Sequence, residues 1–156
     1  MKKNRWQPYV GFILLSEAVG FLAGMLTKNA MAAYDAVEKS ALTPPDIVFP
    51  IVWGILYLLM GIGAARVYQS DAPGRKAALN LFYIQLAVNF LWSLIFFNLQ
   101  AYGFAFFWLL LLWALIVAMI RAFYKVDRPA ALLQIPYLLW VSFAAYLNYM
   151  VWYLNR

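Results

Sequence analysis

Charged residues punctuate the chain so sparsely that the gaps between them set out its elements. Between Arg5 and Lys28 the only charged residue is Glu17, and none falls between Asp46 and Arg66, between Lys76 and Arg121, or between Arg128 and Arg156. A helix needs ~20 apolar residues to cross the hydrocarbon of a bilayer. On that measure the first, second and fourth gaps hold one span each. The third gap runs for 44 residues, 77 to 120, and holds two spans, with a break at Asn98-Leu99-Gln100. The pattern predicts spans at about 8–27, 47–68, 78–97, 101–123 and 131–153. None alternates with the two-residue period of a barrel strand. The expected fold is an all-α membrane protein, a single domain over residues 1–156 built as a bundle of five transmembrane helices.

The polar and small positions inside these spans say which faces turn inward. Ser16, Gly20 and Gly24 recur every four residues on the first helix, and Ala114, Ala118 and Ala122 do so on the fourth. Such stripes let backbones approach closely in lipid, so both read as packing or dimer seams. Glu17 is the only acid inside a span. Two readings stand for it: a functional group facing the interior or water, or a structural one, either neutral and hydrogen-bonded to fix a helix pair or close enough to an end to find water. On the third helix Gln85, Asn89, Trp92, Ser93 and Phe96 share one face. Amides are costly in hydrocarbon without partners, so that face looks inward. Gln85 reads as interhelical glue, and Asn89 with Trp92 as part of a pocket. The fifth helix aligns Trp140, Ala144, Leu147, Asn148 and Val151, with a notch at the small Ala144. Pro136 sits near its start, where proline is tolerated.

Composition agrees with the pattern. Of 156 residues, 67% are hydrophobic and 12% charged, against roughly half and a quarter in a soluble domain. A body this small cannot hide that excess from its surroundings. The basic residues give the orientation. Lys2, Lys3, Arg5, Arg66, Arg75, Lys76, Arg121, Lys125 and Arg128, nine in all, fall on one side, and Lys28, Lys39 and Arg156 on the other. The N-terminus is therefore expected in the cytoplasm and the C-terminus outside. The net charge of +6 is mostly this topology signal, and basic residues confined to helix ends give no support to nucleic-acid binding. MKKNR and Ala30-Met31-Ala32 have the outline of a cleavable signal, but the apolar stretch is too long and holds Glu17, so the first span is expected to remain.

The chain has no cysteine and no histidine. That excludes disulfides, thiolate nucleophiles, His/Cys zinc sites and a Ser-His relay, and haem held by His or Cys; Tyr or Met ligation stays open. No span carries the series of charges of a voltage sensor or ion pump. Five spans also cannot form two equal inverted halves.

Several blocks carry a family resemblance: Leu42-x-Pro44-Pro45; Pro50-x-x-Trp53-Gly54-x-Leu56-Tyr57-x-x-Met60-Gly61; Gln85-Leu86-Ala87-x-Asn89-x-x-Trp92 followed by Phe96-Phe97; and Pro136-Tyr137-Leu138-x-Trp140-x-x-Phe143-Ala144-x-x-Leu147-Asn148-Tyr149-x-Val151-Trp152. In this order and spacing, from about Gly20 to Trp152, the chain resembles the TspO/MBR family, the tryptophan-rich sensory proteins that include the mitochondrial translocator protein. The resemblance implies a five-helix bundle, commonly a homodimer, in a bacterial cell membrane. It implies a pocket for protoporphyrin IX or a related tetrapyrrole and for hydrophobic drugs, with no cofactor required. Carried onto this sequence, it implies a site lined by Trp53, Tyr57, Asn89, Trp92, Phe104, Trp140, Ala144 and Leu147. Trp92 and Trp140 would stack on the macrocycle, and Tyr57 and Asn89 would hydrogen-bond its polar edge. The loop 28–46 would close over the mouth, with Leu42, Pro44 and Pro45 as its lid. Paired prolines suit that task, because a stiffened lid loses less entropy on closing.

The sequence departs from the family in telling places. The family loop commonly reads Trp-Tyr-x-x-Leu-x-Lys-Pro-x-Trp-x-Pro-Pro, and here both tryptophans are replaced, by Ala33 and Leu42. Light-dependent porphyrin breakdown in some bacterial members is tied to the second of these and to the tryptophan matching Trp140. Leucine cannot feed a radical path as an indole can, so binding is expected to outlast the change better than degradation. Phe104 stands where animal members have tryptophan, and Tyr153 replaces the basic residue of the sterol motif after Tyr149. Two rivals to a binding protein remain: an enzyme that degrades porphyrin with Trp140 alone, and a structural bundle that meets lipid or partner subunits.

Overall fold

The computed structural model describes residues 5–156, and no strand occurs among them. Seven α-helices follow in order: α1 (Trp6–Thr27), α2 (Met31–Ala36), α3 (Val48–Tyr68), α4 (Arg75–Ser93), α5 (Tyr102–Val126), α6 (Arg128–Leu132) and α7 (Ile135–Leu154). A 3₁₀ turn, Lys28–Ala30, joins α1 to α2, and a π-helical turn, Leu94–Asn98, ends α4. Five helical segments are long and apolar enough to cross a membrane, as the charge gaps predict. Lys2 and Lys3, two of the nine basic residues used for the orientation, lie outside the described residues.

The punctuation has local causes. The predicted break at 98–100 is a π turn followed by Gln100 in the left-handed region, φ 52°. The chain enters α4 through Gly74 at φ 89°, a conformation that costs glycine little. The single span expected at 131–153 is instead a short α6 and a long α7. The Asp127 carboxylate caps α6 by accepting from Ala130 N–H at 3.0 Å, and Pro129 stands in the first turn, where its missing N–H is not needed. Pro136 opens α7 in the same way. The segment 28–46 is likewise not one loop, since residues 28–36, about half of it, continue as the 3₁₀ turn and α2.

Packing divides the bundle into two groups. α1 lies along α3, and the backbones touch where Gly61 leaves room: a Cβ there would meet Ile13 Cα at 2.5 Å. α4, α5 and α7 pack in series, with α6 against α5 and α3. Met60, Phe82, Leu109, Leu112, Met119 and Phe123 fill the dry centre. At one end Arg66 grips Asp127 through two hydrogen bonds, Nε to Oδ2 at 2.7 Å and Nη2 to Oδ1 at 3.3 Å, while Gln134 Nε2 donates to Leu59 O at 3.0 Å. Arg66 thus ties α3 to the α5–α6 corner besides marking a side of the membrane. Leu14, Phe107 and Leu139 are exposed on the outside of the bundle, as residues facing lipid must be. α7 packs closely along α5 but stands off from α1 and α3. The space left there is the feature that matters for function.

Candidate ligand-binding site

A cavity of about 630 Å³ fills the gap between α7 and the α1–α3 pair, within the range of small-molecule sites, roughly 300–1,000 Å³. Each element supplies a face. α1 contributes Glu17, Gly20, Gly24 and Thr27; α2 contributes Met31 and Tyr34; α3 contributes Phe49, Trp53 and Tyr57. Trp92 and Phe96 close the far wall, and Trp140, Ala144, Leu147 and Asn148 line the α7 side. The rings are ordered by one another. Trp53 stacks on Tyr57 with centroids 5.6 Å apart, Trp92 stacks on Phe96 at 5.2 Å, and Phe49 meets Trp140 edge-on at 5.8 Å. Such contacts fix ring planes before any ligand arrives.

Beneath the wall runs a directed chain of buried hydrogen bonds. Tyr57 O–H donates to Asn89 Oδ1 (3.0 Å), Asn89 Nδ2 to Tyr137 O (2.6 Å), Tyr137 O–H to Gln85 Oε1 (2.7 Å), and Gln85 Nε2 to Phe82 O (2.9 Å). Every member is buried, and the chain joins α3, α4 and α7. Its direction leaves Tyr57 with only lone pairs to offer the cavity. A second link runs alongside: Trp92 Nε1 donates to Asn148 Oδ1 at 3.0 Å, and Asn148 Nδ2 to Tyr102 O at 2.9 Å. Trp140 differs, because its indole Nε1 is buried without a hydrogen-bond partner among the described residues.

The connection from α2 to α3 borders the cavity at Asp46 and is tied to the end of α7. Glu38 N–H donates to Asn155 Oδ1 at 3.0 Å and Asn155 Nδ2 donates back to Glu38 O at 2.8 Å, while Ser40 Oγ and Tyr146 OH lie 2.8 Å apart. Thr43 N–H closes a turn onto Ser40 O, and Pro45 O receives Val48 N–H at the start of α3.

Of the residues expected to line the site, Trp53, Tyr57, Trp92, Trp140, Ala144 and Leu147 do come together around the cavity. Asn89 does not: it lies behind Tyr57, where both ends of its amide are taken by phenols. Phe104 is corrected outright. It is exposed on the outer face of α5, tilted against Trp108, because that helix turns its small Ala105 and Leu109 inward instead. Leu42, Pro44 and Pro45 also stay out of the lining. Leu42 is 65% exposed, Pro45 is exposed and Pro44 half-buried, so the chain between α2 and α3 reaches the cavity through Asp46, with Tyr34 from α2. The glycine stripe splits in two. A Cβ on Gly20 would strike the Tyr57 ring, making it a close contact within the protomer, whereas Gly24 faces open space at the cavity. Ala114 is exposed and Ala118 half-buried, so that stripe has no close counterpart inside the bundle. Gln85 is glue, as read. Tyr137 was missed, although it lies one heptad before Ala144 on the inward stripe of α7 and could have been found from that spacing.

Comparison with known proteins agrees with this architecture. Residues 12–154 match the TspO/MBR family. The tryptophan-rich protein TspO of Chlorobaculum tepidum is 41% identical over 141 residues, covering 88% of this chain and 89% of that one. The translocator protein of Bos taurus is 36% identical over 155 residues, 97% of this chain and 92% of its own length. The tryptophan-rich sensory protein of Cereibacter sphaeroides is 33% identical over 150 residues, with 96% and 92% covered.

Proposed function

The chain belongs to the TspO/MBR family and is a multi-pass integral membrane protein, and from that premise we propose that it binds porphyrin-type tetrapyrroles and similar hydrophobic molecules inside the bundle, for sensing, sequestration or transport. The observation that carries this reading is the cavity itself: a space of about 630 Å³ walled by Trp53, Trp92 and Trp140 on three different helices. A flat, aromatic, mostly apolar molecule gains stacking and burial on each wall. Tyr57 acts as an acceptor, and Asn89 acts through Tyr57 by fixing where its oxygen points.

The N-terminus belongs in the cytoplasm and the C-terminus outside, by the distribution of basic residues. The outward stripe of Ala114 and Ala118 is the natural surface for a homodimer, since it offers a close helix approach to a second copy.

The deciding experiment titrates protoporphyrin IX into the purified full chain and into Trp140→Phe, following tryptophan quenching corrected for absorption, in darkness and then under illumination. Saturable quenching that weakens in the variant, with the pigment intact in light, supports a binding protein. Loss of the pigment band in light, abolished by Trp140→Phe, would make it an enzyme instead. Quenching that never saturates and is the same in both proteins would mean partition into micelles and would remove the assignment.

A further inference from the structure

Glu17 stands at the middle of α1 and borders the cavity, with no hydrogen-bond or ion-pair partner among the described residues. An acid at membrane depth without a basic neighbour is costly unless something answers its charge. Among the described residues the only basic one on the wall is Lys28, eleven residues further along the same helical path and therefore about 16 Å away along the axis. Lys28 and Asp46, both on the wall, cancel formally, so an ionised Glu17 is the one charge left over.

The groups around Glu17 do not supply the missing proton or cation. Tyr57 O–H is committed to Asn89, Trp92 N–H to Asn148, and Thr27 O–H to Ala23 O at 2.8 Å. Tyr57 therefore offers the cavity lone pairs, and Trp53, Phe49 and Trp140 add aromatic rings to its wall. Phe49, Trp53 and Tyr57 from α3 and Trp140 from α7 all line the cavity, and aromatic π-systems carry electron-rich faces. A carboxylate beside several aromatic faces is the arrangement that holds an organic cation, by charge pairing and cation–π attraction together. Anionic and neutral guests gain burial and ring stacking but no charge pairing.

We propose that the cavity takes lipophilic organic cations, onium centres sheathed in aryl or alkyl groups, with Glu17 as their counter-charge and the aromatic walls as their lining. The inference needs the cavity and Glu17 alone and stands apart from the tetrapyrrole reading, so either can fail without the other. Glu17 becomes the residue that sorts guests by charge, and the aromatic walls sort them by size and apolarity.

Tetraphenylphosphonium and tetraphenylborate test this directly, because they share shape and apolar surface and differ in sign. Each is titrated calorimetrically into the full chain in a non-ionic detergent, with Glu17→Gln and Gly24→Leu alongside. The phosphonium is expected to bind saturably and at least about tenfold more tightly than the borate. Glu17→Gln should weaken the phosphonium about tenfold and leave the borate unchanged or improved. Gly24→Leu projects into space with no atom within 4 Å of its Cβ, so it should fold and weaken both ions. Thermal unfolding reports whether each variant is folded, and Glu17→Asp, which keeps the charge, replaces Glu17→Gln as the probe of position should the glutamine variant not fold: it should retain the preference for the phosphonium. Equal affinity for the two ions, or a folded Glu17→Gln that holds the phosphonium as before, overturns the proposal.

Discussion

At the scale of single residues, the sequence states which side chains turn inward and stays silent on what each does there. Asn89 and Trp92 share an inward face, yet Trp92 lines the cavity and Asn89 stands one layer behind it. Periodicity assigns a face, and only the reach of Tyr57 and Tyr137 from other helices decides who meets the cavity. Gly20 and Gly24 look alike in the sequence, but one receives a tyrosine ring and the other opens onto space. Asn89→Ala strips partners from two buried phenols, so it should destabilise the protein by about 1–3 kcal/mol. Its ligand affinity should fall through a wandering Tyr57. In Tyr57→Phe, Asn89 has already lost that donor, so the two changes together should cost less than their sum, by about 0.5 kcal/mol or more. Chemical unfolding in mixed micelles reads this out, and strict additivity would mean the chain from Tyr57 to Gln85 does not act as a unit.

At the scale of elements, charge gaps and length were enough to find all five spans and the break at 98–100. The short helices were not legible in that way. α6 is too short for periodicity to register, although its local signal, Asp127 two residues before Pro129, is a helix start in plain form. α2 carries no side-chain cap at all and continues α1 through a 3₁₀ turn, so nothing in its residues separates it from a loop. The paired prolines suggested a lid, and the structure shows the strap is held by something else: the reciprocal bonds between Glu38 and Asn155. Asn155→Ala removes both at an exposed site, so stability should change by no more than about 1 kcal/mol. The dissociation rate of a bound porphyrin should rise several-fold, seen by stopped-flow displacement. An unchanged off-rate would show that guests do not leave beneath this strap.

At the scale of the whole molecule, composition alone required a lipid-embedded bundle, while the position of the cavity follows from unequal packing that no single helix encodes. α7 holds to α5 by close contact and reaches α4 by long polar side chains, Tyr137 to Asn89 and Asn148 to Trp92. The Arg66–Asp127 pair ties α3 to the α5–α6 corner, but at 34% and 23% exposure its side chains are screened by solvent and the pair stabilises by no more than about 1 kcal/mol. The asymmetry of nine basic residues against three predicts the orientation. A reporter that is active only outside the cytoplasm should work when fused after Arg156 and fail when placed in the 69–74 connection. The reverse result would invert the topology.

The π turn at Leu94–Asn98 bears on how this chain tolerates changes of length. A π turn fits one residue more into the same rise than an α-helix would. Removing Leu94 should let that turn relax to ordinary α geometry, with Trp92 before it and the 99–101 turn after it keeping their places. Removing Ile84 from the regular part of α4 should instead rotate everything that follows by about 100° and carry Asn89 away from Tyr57. The first deletion is expected to give folded protein and the second is not. Leu94–Asn98 is thus a slack link in an otherwise rigid rod, where the genetic record of a gained or lost codon would leave the bundle standing.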